Sequence, residues 1–188
     1  RSVALGDLDS DGDLDAFVGN GESAGMPSPG KPNEVWLNDS HGSYADSGQR
    51  LGNATTTSVE LADPDGDGDL DAFVGNELEP NEVWLNDGGA RFSDAGQRLG
   101  SGSTWGVALA DVDSDGDADA VLAKLAQLGQ GAAPLPNEVW LNDGAGRFTD
   151  SGARLGNGLT VCVAVADADD DGDLDLVVGT AAGVRLFL

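Results

Sequence analysis

Four short runs of the chain, SVALG at 2–6, SVELA at 58–62, GVALA at 106–110 and VAVA at 163–166, alternate apolar with small or polar residues. The alternation puts Val3 and Leu5, Val59 and Leu61, Val107 and Leu109, and Val163 and Val165 on one face each. A period of two is the signature of a half-buried β-strand. Each run leads into an aspartate-rich stretch and then a second apolar run, LDAFVGN, LDAFVGN, ADAVLAK or LDLVVGT. EVWLN follows three times, and after it SYADSG, RFSDAG or RFTDSG. The pattern predicts four short strands per repeat, joined by glycine-rich and NDG-type turns that supply a left-handed backbone. One stretch, AVLAKLAQLGQ at Ala120 to Gln130, predicts a short helix.

The repeats start near residues 1, 57, 105 and 161. NEVWLND begins at Asn33, Asn81 and Asn137, and from each of these asparagines to the next aspartate stretch is 30 residues. From the last aspartate of a stretch to the following asparagine is 18, 10 and 18, so one connection per repeat carries the variation in length. Four-stranded units at this spacing predict an all-β chain, a single domain over 1–188 built as a β-propeller of about four antiparallel four-stranded blades with the last incomplete. Trp36, Trp84 and Trp140 share one blade position and are expected to pack between blades. Arg50, Arg98 and Arg154 recur in register, as do Arg91 and Arg147, and are expected to hydrogen-bond from blade to blade.

The polar positions are far from random. The four aspartate stretches carry Asp7, Asp9, Asp11, Asp13 and Asp15; Asp63, Asp65, Asp67, Asp69 and Asp71; Asp111, Asp113, Asp115, Asp117 and Asp119; and Asp167, Asp169, Asp171, Asp173 and Asp175. Two carboxylates about 4 Å apart repel by roughly 4 kcal/mol at an effective dielectric near 20, so five on alternate positions call for a cation. Carboxylates at positions 1, 3, 5 and 9 of a nine-residue loop, with a main-chain carbonyl at position 7, make a shell of hard oxygen donors suited to Ca²⁺. Gly12, Gly68, Gly116 and Gly172 stand at position 6, where the loop must turn. The twelfth position, where an EF-hand places glutamate, holds Val18, Val74, Leu122 and Val178, so the helical EF-hand is excluded. Mg²⁺ ranks second because it demands stricter octahedral geometry, and zinc lacks its histidine and cysteine ligands. About four Ca²⁺ per chain are expected.

GDLDSDGDLDAFVGN, ADPDGDGDLDAFVGN and their two partners resemble the calcium-binding repeats of FG-GAP/VCBS-type β-propellers, the group that includes the integrin α-subunit propeller. The resemblance runs through all four repeats and is nearest to bacterial secreted members. It implies that Asp7, Asp9, Asp11 and Asp15 bind calcium through their side chains and Asp13 through its carbonyl, with corresponding roles in the other loops. An extracellular location, secreted or at the cell surface and bacterial, is expected, since extracellular modules use weak sites of roughly 10⁻⁴–10⁻³ M that cytosolic calcium would leave empty.

Charge and composition prune the alternatives. The net charge of −25 argues against nucleic acid and anionic membrane surfaces, and 21 of the 34 acidic residues fall within the four loops, so the acidity is focused rather than spread as a solvated tail. No segment approaches the roughly 18 apolar residues of a membrane span. Cys162, the single cysteine, lies in the apolar run LTVCVAV and is expected to be buried. No nucleophile with a base partner emerges, and His41 is expected to be an exposed turn residue, so the chain is read as a non-enzyme. A structural or adhesive role leads. A carbohydrate-binding module is the alternative, with Trp105 offered to a glycan or protein ligand on the face opposite the calcium loops. A polysaccharide lyase, which would use Lys31 or Lys124, comes third. The fourth repeat ends at GVRLFL with no fourth strand, and the chain begins on an inner strand without Met or leader, as a processed piece would. The open edge at Val184, Arg185, Leu186, Phe187 and Leu188 predicts a homo-oligomer or polymer formed by strand exchange.

Overall fold

A computed structural model describes residues 1–21, 30–125, 135–156, 159–180 and 182–187, and all regular structure among them is strand. Sheet I contains β1 (Ser2–Gly6), β2 (Asp15–Gly19), β3 (Glu34–Asn38) and β4 (Tyr44–Asp46). Sheet II contains β5 (Thr55–Ala62), β6 (Asp71–Glu77), β7 (Glu82–Asn86) and β8 (Phe92–Asp94). Sheet III contains β9 (Ser103–Ala110), β10 (Asp119–Leu125), β11 (Asn137–Asn142) and β12 (Phe148–Leu155). Sheet IV has three strands, β13 (Thr160–Ala166), β14 (Asp175–Thr180) and β15 (Gly183–Phe187). Every pairing is antiparallel between consecutive strands, so each sheet is an up-and-down meander and each repeat closes its own hydrogen bonds.

The alternation read from the sequence sorts each strand's side chains onto two faces, and the sheets bury them against one another in chain order. Phe17, Val35 and Leu37 of sheet I meet Val59, Val74 and Trp84 of sheet II. Phe73 and Val83 of sheet II meet Val107, Ala120 and Leu122 of sheet III. Val121 and Val139 of sheet III meet Leu176, Val178, Val163 and Val165 of sheet IV. Two edge-to-face ring pairs lock the first two seams, Phe17 on Phe92 at 5.2 Å and Phe73 on Phe148 at 5.3 Å, an arrangement worth about 0.5–1.5 kcal/mol beyond area burial.

Several expectations are revised. The sheets stack I–II–III–IV but do not close into a ring: Val3 and Leu5 on sheet I and Val184 and Leu186 on sheet IV are exposed. Cys162 is exposed as well, because it points from β13 to the face of sheet IV that no further sheet covers. The helix expected over Ala120 to Gln130 is strand β10 as far as Leu125, held by β9 and β11 on both sides, and 126–130 lie outside the described residues. The pairing partners on both edges outweigh the helical spacing of that run.

Candidate metal centres

The aspartate loops join the first and second strands of each sheet and lie along one side of the stack, one loop per sheet. Within each, three carboxylates bring one oxygen apiece within 4.8 Å of one another: Asp7, Asp9 and Asp15; Asp63, Asp65 and Asp67; Asp111, Asp113 and Asp115; Asp167, Asp169 and Asp175. Positions 1 and 3 belong to every cluster, joined by position 9 in the first and fourth loops and by position 5 in the second and third. The remaining aspartates lie on the same loops outside these triplets.

Backbone geometry explains how one sequence pattern makes four copies of this cluster. Gly12, Gly68, Gly116 and Gly172 take φ of 94°, 95°, 101° and 95°, a conformation that side-chain-bearing residues rarely adopt. The turn brings the position-6 N–H back onto the position-1 carboxylate, Gly12 N to Asp7 Oδ2 at 3.1 Å and Gly68 N to Asp63 Oδ2 at 2.9 Å, with the same bond at Gly116 and Gly172. The position-7 N–H donates to the position-5 carboxylate in all four. The position-7 side chain is directed elsewhere: Asp13 accepts from the Ser40 hydroxyl, while Asp69 and Asp117 lie against Gly88 and Gly144 of the neighbouring turns.

Position 9 ties the loop to the sheet. Asp15, Asp71, Asp119 and Asp175 are buried at the start of the second strand. In the first three sheets one carboxylate oxygen accepts from the asparagine that ends the third strand, Asn38 N at 2.8 Å, Asn86 N at 2.7 Å and Asn142 N at 2.8 Å. The other oxygen accepts from position 2, Leu8 N at 3.0 Å, Val112 N at 3.0 Å and Ala168 N at 2.7 Å. The second loop breaks the rule: position 2 is Pro64, which has no N–H, and Asp71 Oδ2 is buried without a partner. Asp9 Oδ1 is the other carboxylate oxygen buried without a partner among the described residues. Acceptor-only atoms left in this way are costly unless a proton or cation meets them.

The electrostatics point the same way. Burial pushes the Asp71 carboxyl up to about 7. Desolvation first and neighbouring carboxylates second raise Asp9, Asp65 and Asp113, the position-3 groups of the first three loops. A donor set made only of oxygen, crowded and short of positive charge, fits Ca²⁺.

The other candidate residues fall into different places. Trp105 is half-buried at a β-bulge of β9 opposite the break between Ala123 and Lys124, at the far end of the strand from Asp111. Thr57 and Val161 occupy the matching bulges of β5 and β13. Val184 and Leu186 are exposed and Phe187 packs toward sheet III, with Arg185 between them; Leu188 lies outside the described residues. Trp84 is buried and Trp140 half-buried between sheets, but Trp36 sits on the uncovered face of sheet I. His41 is exposed in its turn, and Lys124 is buried, its Nζ donating to Thr104 Oγ1 at 3.1 Å and lying 3.9 Å from Glu138.

Arg50, Arg98 and Arg154 do not bridge sheets. Each makes a two-pronged bond to the aspartate four residues before it, Asp46, Asp94 or Asp150, within its own repeat. The bridges come from residues the sequence reading passed over. Gln49 donates to Ala90 O at 2.6 Å and accepts from Phe92 N at 2.9 Å; Gln97 does the same with Gly146 O and Phe148 N at 2.6 and 2.9 Å. Asn86 and Asn142 donate back to the carbonyls of Leu8 and Pro64 at 2.8 and 2.7 Å. The clue was in the triplet GQR, GQR, GAR: the third repeat has Ala153, and sheet IV, which it faces, has three strands among the described residues.

Among solved structures, the computationally designed Ika4 protein superposes with a TM-score of 0.54 at 14% identity, covering 99% of this chain and 88% of that one. Trypanosoma rangeli sialidase in complex with sialic acid gives 0.48 at 14% identity, over 92% of this chain and 26% of the sialidase. These likenesses concern the fold alone. No curated protein matches the sequence. The model of the FG-GAP-like repeat matches three times, over residues 7–74, 63–122 and 128–178, each match taking in at least one aspartate loop or the strands beside it. The chain therefore belongs to the FG-GAP-like repeat family.

Proposed function

We propose that the chain is an extracellular, calcium-stabilised propeller-type module with a structural or adhesive, non-catalytic role, and that it self-associates. The observation that carries the reading is the fourfold convergence of aspartate oxygens, with Asp9 Oδ1 and Asp71 Oδ2 buried and short of any donor. Asp7, Asp9, Asp11 and Asp15, and their counterparts in the other loops, would hold the ion through carboxylates, and Asp13, Asp69, Asp117 and Asp173 through main-chain carbonyls. The bound ion supplies the positive charge that lets each loop keep its turn. Extracellular modules work with sites of roughly 10⁻⁴–10⁻³ M, which calcium outside cells fills.

Held at about 100 times the dissociation constant, each independent site would stabilise the fold by roughly 2.7 kcal/mol, or about 11 for four. That matches the whole stability of an ordinary domain. Titration calorimetry should count about four Ca²⁺ per chain, and a chelator should lower the melting temperature by tens of degrees. A melt unchanged by chelator, with no heat of calcium binding, refutes the proposal.

A further inference from the structure

The three seams inside the chain are copies of one interface, and the parts of a fourth copy stand open at the two ends of the stack. On the side facing backward along the chain, sheet II offers Val59, Leu61 and Leu70, and all three pack against sheet I. The matching residues of sheet I are Val3, Leu5 and Leu14. Val59 is 3% and Val107 4% exposed, whereas Val3 is 60% exposed. On the side facing forward, Val83 is 1% and Val139 9% exposed, while Leu186 in the same register is 49%. Cys162, Ala164 and Val184 surround Leu186 on that face and are exposed too.

A polar latch fixes the register at the first two seams and is likewise open at the end of the stack. Asn86 reaches Leu8 O and Asn142 reaches Pro64 O, each from the later sheet to the loop of the earlier one. The matching asparagine of sheet I, Asn38, makes the own-sheet bond that Asn86 also makes, to Leu14 O at 3.2 Å against Leu70 O at 3.3 Å, without the cross-sheet one among the described residues. The carbonyl of Ala168, in the place of Leu8 and Pro64, lies in the loop of sheet IV.

We propose that the forward face of sheet IV docks on the backward face of sheet I of a second copy of this chain, head to tail, burying Leu186 and Cys162 against Val3, Leu5 and Leu14. This rests on the self-association in the proposed function and names its surface: the sheet face rather than the strand edge. The two faces differ, so the contact is heterologous and yields a closed ring or an open filament according to the angle between sheets. The net charge of −25 sets copies against one another, so assembly is favoured with the calcium loops filled and salt present.

The test uses Leu5→Asp and Leu186→Asp, both at positions exposed in the single chain, with light scattering in millimolar calcium and labelling of Cys162 by an aromatic disulfide reagent. The wild-type chain should give multiples of 19.0 kDa. Its Cys162 labelling should slow as concentration rises, by about tenfold when about nine-tenths is assembled. Each variant alone should be a 19.0 kDa species with Cys162 labelled fast in Leu5→Asp, and the two mixed should form only a one-to-one pair through the one intact pair of faces. Wild-type chain that stays at 19.0 kDa overturns the proposal, whether Cys162 reacts fast, as on an open face, or slowly, as in a ring closed on itself. Assembly that survives Leu5→Asp but is lost on deleting 184–188 assigns the contact to strand exchange and overturns it as well. Should either variant fail to fold, by circular dichroism, the concentration dependence of wild-type Cys162 labelling decides alone. Calcium titration of monomeric Leu5→Asp tests the metal sites separately from the docking surface.

Discussion

Pro64 is where the four loops differ most in chemistry, and replacing it isolates the contribution of one hydrogen bond to calcium dependence. In the other loops the position-2 N–H satisfies the outer oxygen of the buried position-9 carboxylate at 2.7–3.0 Å. Pro64→Ala restores that donor to Asp71 while keeping the carbonyl that accepts from Asn142 and Gly146. The substitution itself costs about 0.4–1 kcal/mol through greater freedom of the unfolded chain, plus about 0.8 kcal/mol per ring methylene no longer buried. Those costs apply with or without metal. The new bond does not: relieving a buried, unpartnered carboxylate is worth about 1.5–3 kcal/mol, against about 1 kcal/mol once a cation already satisfies the oxygen. The stability gap between calcium-loaded and chelated protein should therefore shrink by roughly 0.5–2 kcal/mol, mainly through a sturdier metal-free form. Urea unfolding of wild type and Pro64→Ala, each in calcium and in chelator, measures this as a double difference from which the shared costs cancel. Val112→Pro, which removes the donor from the third loop, should widen the gap instead. A gap that is the same in all three proteins would refute the reasoning.

Three further outcomes follow from the geometry. Gly116→Ala meets no atom within 4 Å, so its cost is the left-handed backbone alone, about 1–2 kcal/mol in denaturant unfolding, with weaker binding at that one site by calorimetry. Gln97→Ala strands Gly146 O and Phe148 N and should cost about 1–3 kcal/mol in the same assay, whereas Ala153→Gln, which faces a sheet with three described strands, should gain nothing. The Asp46 and Asp150 carboxyls are held down to about 2 by Arg50 and Arg154, below the ordinary 3.8. Their stabilising effect is thus complete above that ordinary value and lost as pH falls from about 4 toward 2. Carboxyl resonances in an acid titration should show both midpoints, with Asp46 returning toward its ordinary value in Arg50→Met.

The strands and loops were legible because they obey two strict rules, the alternation of Val3/Leu5-type pairs and the odd-numbered spacing of aspartates. The loop centres followed from chemistry, since repeated acceptors converge only where the chain turns at Gly12 and its counterparts. What misled the reading was burial, a property of neighbours rather than of sequence. Cys162 and Trp36 sit in runs that look like core, yet each lies on a face with no sheet across it. Ala120 to Leu125 carries a helical spacing, but two flanking strands already offer it a full set of hydrogen bonds. The arginines recur in register for a local reason, the aspartate one turn earlier in the chain, and recurrence alone does not reveal whether a residue serves its own repeat or the next.

Because every sheet is woven from consecutive strands and, among the described residues, packs on the sheets of adjoining repeats, the molecule should melt as a line rather than as a sphere. Sheets II and III are each braced on two sides, and sheets I and IV on one. Cooperativity in such an array passes from neighbour to neighbour, so opening starts at the ends and travels inward. Among the described residues sheet IV has three strands and neither ring pair nor glutamine clamp at its seam, which makes it the weakest link, and its backbone amides should exchange with solvent long before those of β6 and β10. Any partner that covers an end sheet thereby raises the opening cost of the whole line, and contact at one terminus is felt at the loops farthest along it.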